Sequence, residues 1–192
     1  MLWASFTLIY YGCLRAGEVV IDGEFKPSVN LRVADVTLSV AIKASKTDKT
    51  NAGFAVVIAC VPHVTCAVCA MSSYLESKDR TYTNEPLFCT QNGTLLTKTL
   101  FQKQIKLYIA ALGYSPDLFS GHSFRAGCAT DAATAGFMDW ELKLLGRWTS
   151  DAYQGYIRAP RRLLAQFSTR IVQQKSTTVP SPHNMKYVNN SI

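Results

Sequence analysis

Between residues 31 and 59 the chain leaves helical spacing for a β-rich pattern. Val33, Val36, Leu38, Val40 and Ile42 are followed by a polar stretch over residues 43–53, and then by Phe54-Ala55-Val56-Val57-Ile58. Short β-branched and aromatic runs around a polar loop are expected to form two antiparallel strands joined as a hairpin. Two such strands alone are marginal in water, so they need a helical core to lie against. The remaining punctuation is helical. The expected fold class is therefore α+β, mainly α-helical, with one small antiparallel β-sheet against a helical core.

Residues 2–11 read as a buried helix closed by Gly12 as a left-handed cap. Residues 16–21 suit a helical turn, and Asp22-Gly23 with Pro27 makes a loop. Further helices are expected over residues 66–78 and 97–112, the second stopped by Gly113 and Pro116. Others should run from about Ser123 to the Gly136 cap, and from an Asp139 cap to Gly146. A short helix from Ser150 would hold Tyr153 and Tyr156, and Pro160 would open a last one, ending near Gln174. Its apolar set is Leu163, Leu164, Phe167 and Ile171. Residues 1–174 are thus expected to form the domain, and residues 175–192 a polar tail without fixed structure.

The formal net charge is +7, which favours an anionic partner. After Asp151 there is no acidic residue, while Arg158, Arg161, Arg162, Arg170, Lys175 and Lys186 follow. The apolar start is too short to cross a bilayer and lacks a basic leader, so neither secretion nor membrane anchoring is expected. Six cysteines in that context read as reduced intracellular thiols, and the triplets at Asn92 and Asn189 as chance glycosylation matches. Cys60, His63, Cys66 and Cys69 recur at every third position, a spacing that could ligate zinc. However, Cys66-Ala-Val-Cys69 runs straight into an apolar helix stripe, and structural sites usually draw on two separated loops. The expectation is buried thiols at a helix start, with no metal and no cofactor.

Four local patterns occur in order: Gly12-Cys13-Leu14-Arg15-Ala16-Gly17-Glu18, Ala44-Ser45-Lys46-Thr47-Asp48, Gly121-His122-Ser123-Phe124-Arg125, and Leu145-Gly146-Arg147-Trp148-Thr149-Ser150 followed by Tyr156. Together they resemble the catalytic domain of the tyrosine recombinases, the phage integrase family. In wording they are most similar to recombinases of DIRS-type and Crypton-type eukaryotic mobile elements. The resemblance covers about residues 2–172. It implies an integrase-like fold, double-stranded DNA as partner, no small-molecule substrate, and a nuclear location if the source is eukaryotic, otherwise cytoplasmic.

The resemblance also implies roles that the physics of phosphodiester cleavage supports. Fixed cations must balance charge on the non-bridging oxygens, and arginine forks suit this because they never deprotonate. Arg15 and Arg125 match the family's pair, with His122 and Trp148 as further donors. Tyr156 would be the nucleophile, forming a 3′-phosphotyrosine and freeing a 5′-hydroxyl. Lys46 is the candidate general acid, with Lys43 and Lys49 in the same loop as rivals. Glu18 matches a buried carboxylate that orients catalytic groups. Arg147, Arg158, Arg161 and Arg162 are expected DNA contacts, and the last helix is expected to mediate self-association on DNA.

Departures from the family pattern leave other readings open. Relatives carry a DNA-clamping domain and a further helix ahead of this region, so an N-terminally truncated catalytic domain is expected. From Leu31 to Lys46 no Gly, Pro or Asn turns the chain, so the first strand should be short. Trp148 and Tyr156 are one residue closer than in most phage enzymes. An inactive DNA-binding remnant, a type IB topoisomerase and a zinc-stabilised interaction module are the alternatives.

Overall fold

The structure is a computed structural model that describes residues 1–36, 40–43, 53–78, 84–158, 164, 169, 172 and 173. The chain separates into two units, Met1–Ile157 and Arg158–Ile192. In the second unit Leu164, Thr169, Val172 and Gln173 are helical. The rest of the expected last helix and the polar tail lie outside the described residues.

The first unit is helix-dominated. Its helices are α1 (Leu2–Tyr11), α2 (Ala16–Val19), α3 (Ala67–Glu76), α4 (Lys98–Ala111), α5 (Gly121–Thr134) and α6 (Asp139–Gly146). Strands β1 (Val40–Ile42) and β2 (Phe54–Val56) form a two-stranded antiparallel sheet, Val40 facing Val56 and Ile42 facing Phe54. Short 3-10 turns occupy Val33–Asp35, Pro116–Leu118 and Asp151–Gly155. No helix among the described residues is long and apolar enough to cross a membrane.

α1 is the central element because its sequence is apolar nearly all round. It packs on α3 and α5. Its two buried hydroxyls, Ser5 and Thr7, return to the carbonyls of Leu2 and Trp3 at 2.8 and 3.0 Å, so neither is left unsatisfied. The main core joins Leu8, Ile9, Leu14, Val20, Ile42, Leu87, Leu96 and Phe101. Burying each large aliphatic of this set stabilises the fold by roughly 1.5–3 kcal/mol. A second cluster of Cys13, Cys128, Ala129, Leu142, Trp148 and Tyr153 lies between the end of α1 and helices α5 and α6. The site is built on this second cluster.

Several local expectations are corrected. Gly12 is not left-handed: its φ is −80°, and Cys13 takes the positive φ of 46°. The glycine is needed for space, since a Cβ there would lie 2.8 Å from the Leu8 carbonyl oxygen and 3.1 Å from Val56 Cγ1. Residues 33–35 turn instead of extending, because Asp35 accepts a 2.8 Å hydrogen bond from the Arg32 N–H and pairs with Lys43 at 2.6 Å. α5 begins at Gly121, with Ser120 as its cap, and Met138 precedes α6. Of the Cys60, His63, Cys66 and Cys69 run, only Cys66 is buried; the other three are exposed.

Candidate active site

Arg15 follows α1 and caps α2, where the chain turns into extended backbone. Glu18, one turn on, reaches back: its carboxylate accepts the Arg15 backbone N–H at 2.9 Å and the Arg15 guanidinium at 3.0 Å. The same carboxylate takes Arg147 Nη2 at 3.3 Å. Glu18 is buried, with 3% of its side chain exposed, while the side chains of its two arginines are 23% and 21% exposed.

His122 and Arg125 are three apart on the first turns of α5, whose start is fixed by a reciprocal Ser120–Ser123 capping box. His122 is exposed, while Arg125 is fully buried. Arg125 donates through Nη1 to the Cys13 carbonyl and through Nη2 to the Gly146 carbonyl, both at 2.5 Å. The positive φ at Cys13 thus presents a carbonyl that holds this side chain. Its guanidinium stacks 4.3 Å from the Trp148 ring and 5.7 Å from the Tyr156 ring.

Trp148 follows the left-handed Arg147, φ 55°, which ends α6. Its ring lies directly on Gly146: a Cβ there would sit 1.8 Å from a ring carbon. Tyr156 closes the turn Asp151–Gly155, with its ring 5.4 Å from Trp148 and 4.8 Å from His122. Tyr153 differs in environment, being 2% exposed and part of the second core.

Five of the residues singled out from sequence are therefore brought together: Arg15, His122, Arg125, Trp148 and Tyr156, with Glu18 beneath the arginines. Lys46, Arg161 and Arg162 lie outside the described residues. Arg158 is exposed and belongs to the second unit. Lys43 is engaged elsewhere, donating to the Pro27 carbonyl at 2.7 Å and pairing with Asp35. Arg147, expected among the DNA contacts, is turned inward. It donates to the Gly12 and Cys13 carbonyls at 3.1 and 3.3 Å and stacks 4.2 Å from the Phe54 ring. Its role as a brace between α6 and the end of α1 escaped the sequence reading; the only signal was its place after Gly146 at a helix end.

Electrostatically the cluster sets the guanidinium groups of Arg15, Arg125 and Arg147 around the Glu18 carboxylate. Burial lowers the pKa values of Arg125 and Arg147 from their ordinary range, and the charge of Arg15 lowers both further. They stay protonated all the same. Beneath them the Cys13 thiol is pulled down by its hydrogen bond with Cys128, whose own thiol is pushed up by the same contact and by burial. Among the described residues three buried donor atoms have no hydrogen-bond acceptor: Arg125 Nε, Arg147 Nε and Trp148 Nε1. Excess positive charge beside unspent N–H groups is an anion-binding arrangement.

No protein-family model matches the chain, and neither does any curated protein. Solved structures do. The crystal structure of XerA recombinase superposes with a TM-score of 0.64 at 20% identity, covering 88% of this chain and 57% of that one. The fold is a recombinase fold. The Tn1549 transposon integrase shares it, in complex with circular intermediate DNA (TM-score 0.55, 16% identity, 89% of this chain and 56% of that one). Its complex with transposon right end DNA is also similar (TM-score 0.52, 15% identity, 88% and 58%). The chain spans a little over half the length of these recombinase-fold neighbours.

Proposed function

We propose that this chain is a DNA strand-cutting and rejoining domain that works through a covalent link to Tyr156. The observation that carries the reading is the placing of Tyr156 between His122 and Trp148, on the buried guanidinium of Arg125. The recombinase fold, and DNA in two of the neighbouring structures, point the same way.

In this reading a backbone phosphate of double-stranded DNA sits against Arg15, and Arg125 Nε and Trp148 Nε1, which have no acceptor in the structure, donate to it. The Tyr156 hydroxyl oxygen attacks phosphorus, and its proton passes to a ring nitrogen of His122, whose ring lies 4.8 Å from that of Tyr156. The phosphorus bond to the 5′ oxygen breaks as the 3′-phosphotyrosine forms. The leaving oxygen takes a proton from a lysine of the hairpin loop and departs as a 5′-hydroxyl. With Lys43 held by Asp35, Lys46 is the candidate, with Lys49 behind it. Rejoining is the reverse: the hydroxyl attacks the phosphotyrosine and frees Tyr156. Neither ATP nor a metal enters that balance. Glu18 does not react; it holds Arg15 and Arg147 in place.

Nicked duplexes of random sequence, in which the cleaved end diffuses away, would trap the intermediate. The wild type should give a protein–DNA adduct that survives denaturant, and Tyr156→Phe should give none while still binding duplex. Binding without any wild-type adduct would sink the cutting activity and leave a DNA-binding domain.

A further inference from the structure

Three cysteines at the N-terminal end of α3 have no part in that chemistry. Cys60 lies in the loop after β2, Cys66 caps the N-terminus of α3, and Cys69 is in its first turn. Their sulfur atoms all lie within 4.8 Å of one another. Cys60 Sγ is 3.7 Å from Cys66 Sγ and 3.7 Å from Cys69 Sγ. A tetrahedral ion with metal–sulfur bonds of about 2.3 Å places its ligands about 3.8 Å apart. Both separations from Cys60 are thus those of corners of a thiolate site, and the third pair lies within 4.8 Å; none is that of a disulfide, whose sulfurs are about 2.0 Å apart and which would strand the third thiol.

The backbone supports the same reading. The N–H groups of Val61 and Cys69 both point at Cys66 Sγ, each at 3.4 Å. Two amide donors on one buried sulfur favour a thiolate, the form that binds metal. His63 is not a fourth corner, because neither of its ring nitrogens lies within 4.8 Å of all three sulfur atoms; its Nδ1 is turned to the Thr65 hydroxyl at 2.7 Å and the Thr65 N–H at 3.3 Å. Cys60 and Cys69 are exposed, so the fourth corner opens to solvent.

We propose that Cys60, Cys66 and Cys69 bind one zinc ion, completed by a water molecule, which staples the end of the β-hairpin to the start of α3. Three soft thiolates select zinc over magnesium or calcium. The staple is structural: it closes the loop over residues 60–66 and fixes α3, the helix on which α1 rests. It is independent of the cutting reaction.

The test is metal analysis of the full chain purified with zinc under reducing conditions, and of Cys60→Ser and Cys89→Ser. Cys60 is exposed, so its variant should fold, which near-ultraviolet circular dichroism checks; Cys89 lies outside the cluster and serves as control. About one zinc per chain is expected in wild type and Cys89→Ser, with loss in Cys60→Ser. Cobalt in place of zinc should show a thiolate charge-transfer band and the d–d bands of a tetrahedral site. Chelation should lower Tm by about 5–10 °C. Reduced wild type holding no more zinc or cobalt than Cys60→Ser would overturn the proposal. So would unchanged zinc content in Cys60→Ser.

Discussion

Gly146 and Trp148 show how little room single residues have here. With a Cβ 1.8 Å from the indole, Gly146→Ala must lift Trp148 off Arg125 and away from Tyr156. Overpacking of this kind costs about 1–3 kcal/mol. The expected outcome is a lower denaturation midpoint together with loss of adduct formation, against a wild-type control. Glu18 is a different case, since its carboxylate carries charge for two arginines. Glu18→Gln keeps the shape but not the charge, and it should slow adduct formation by about 10–100-fold, as for other groups that orient reactive ones. Duplex binding should persist; single-turnover trapping and a binding titration separate the two effects. Tyr153→Phe should still form the adduct, because Tyr153 is buried in the second core, whereas the Tyr156 ring lies beside that of His122.

Among the elements, the hairpin base is held by one acid. Burial pushes the Asp35 carboxyl up, but hydrogen bonds from Arg32 and Lys43 outweigh it and hold the pKa below the ordinary 3.8. A depressed native pKa stabilises the fold above the unfolded value, and that contribution is lost as pH falls through the native one. The wild type should therefore lose stability below about pH 4 more steeply than Asp35→Asn. Urea midpoints at a series of pH values measure it; parallel curves would contradict the role. Helix positions were legible in the sequence because caps and glycine stops are local: Gly113 ends α4's turn and Ser150 opens the turn to Tyr156 as read. The turn over residues 33–35 was not legible. Its cause is a pairing of Asp35 with Lys43, across residues that propensity treats independently. Arg147 was missed for a similar reason, since a motif names a residue but not which way a left-handed helix end aims it.

At the scale of the molecule, patterns far apart in the chain, at residues 12–18, 121–125 and 145–156, meet because α1, α5 and α6 converge on the second core. Their order in the sequence was legible and so was the cluster; the fixing of Arg125 by two main-chain carbonyls was not, because it depends on the unusual backbone at Cys13. The net charge of +7 and the excess of guanidinium over carboxylate at the site imply binding dominated by phosphate contacts. Duplex affinity should fall about 10-fold or more between about 50 and 200 mM salt, with little dependence on sequence. Fluorescence anisotropy at graded salt checks this, and salt-insensitive binding would contradict it. The most direct measurement of the central claim is mass-spectrometric mapping of the amino acid attached to DNA after trapping on a nicked duplex and digestion. The account predicts a single modified peptide with a phosphodeoxynucleotide on Tyr156. Attachment at Tyr153 or any other residue, or an equal yield of adduct from Tyr156→Phe, would contradict it.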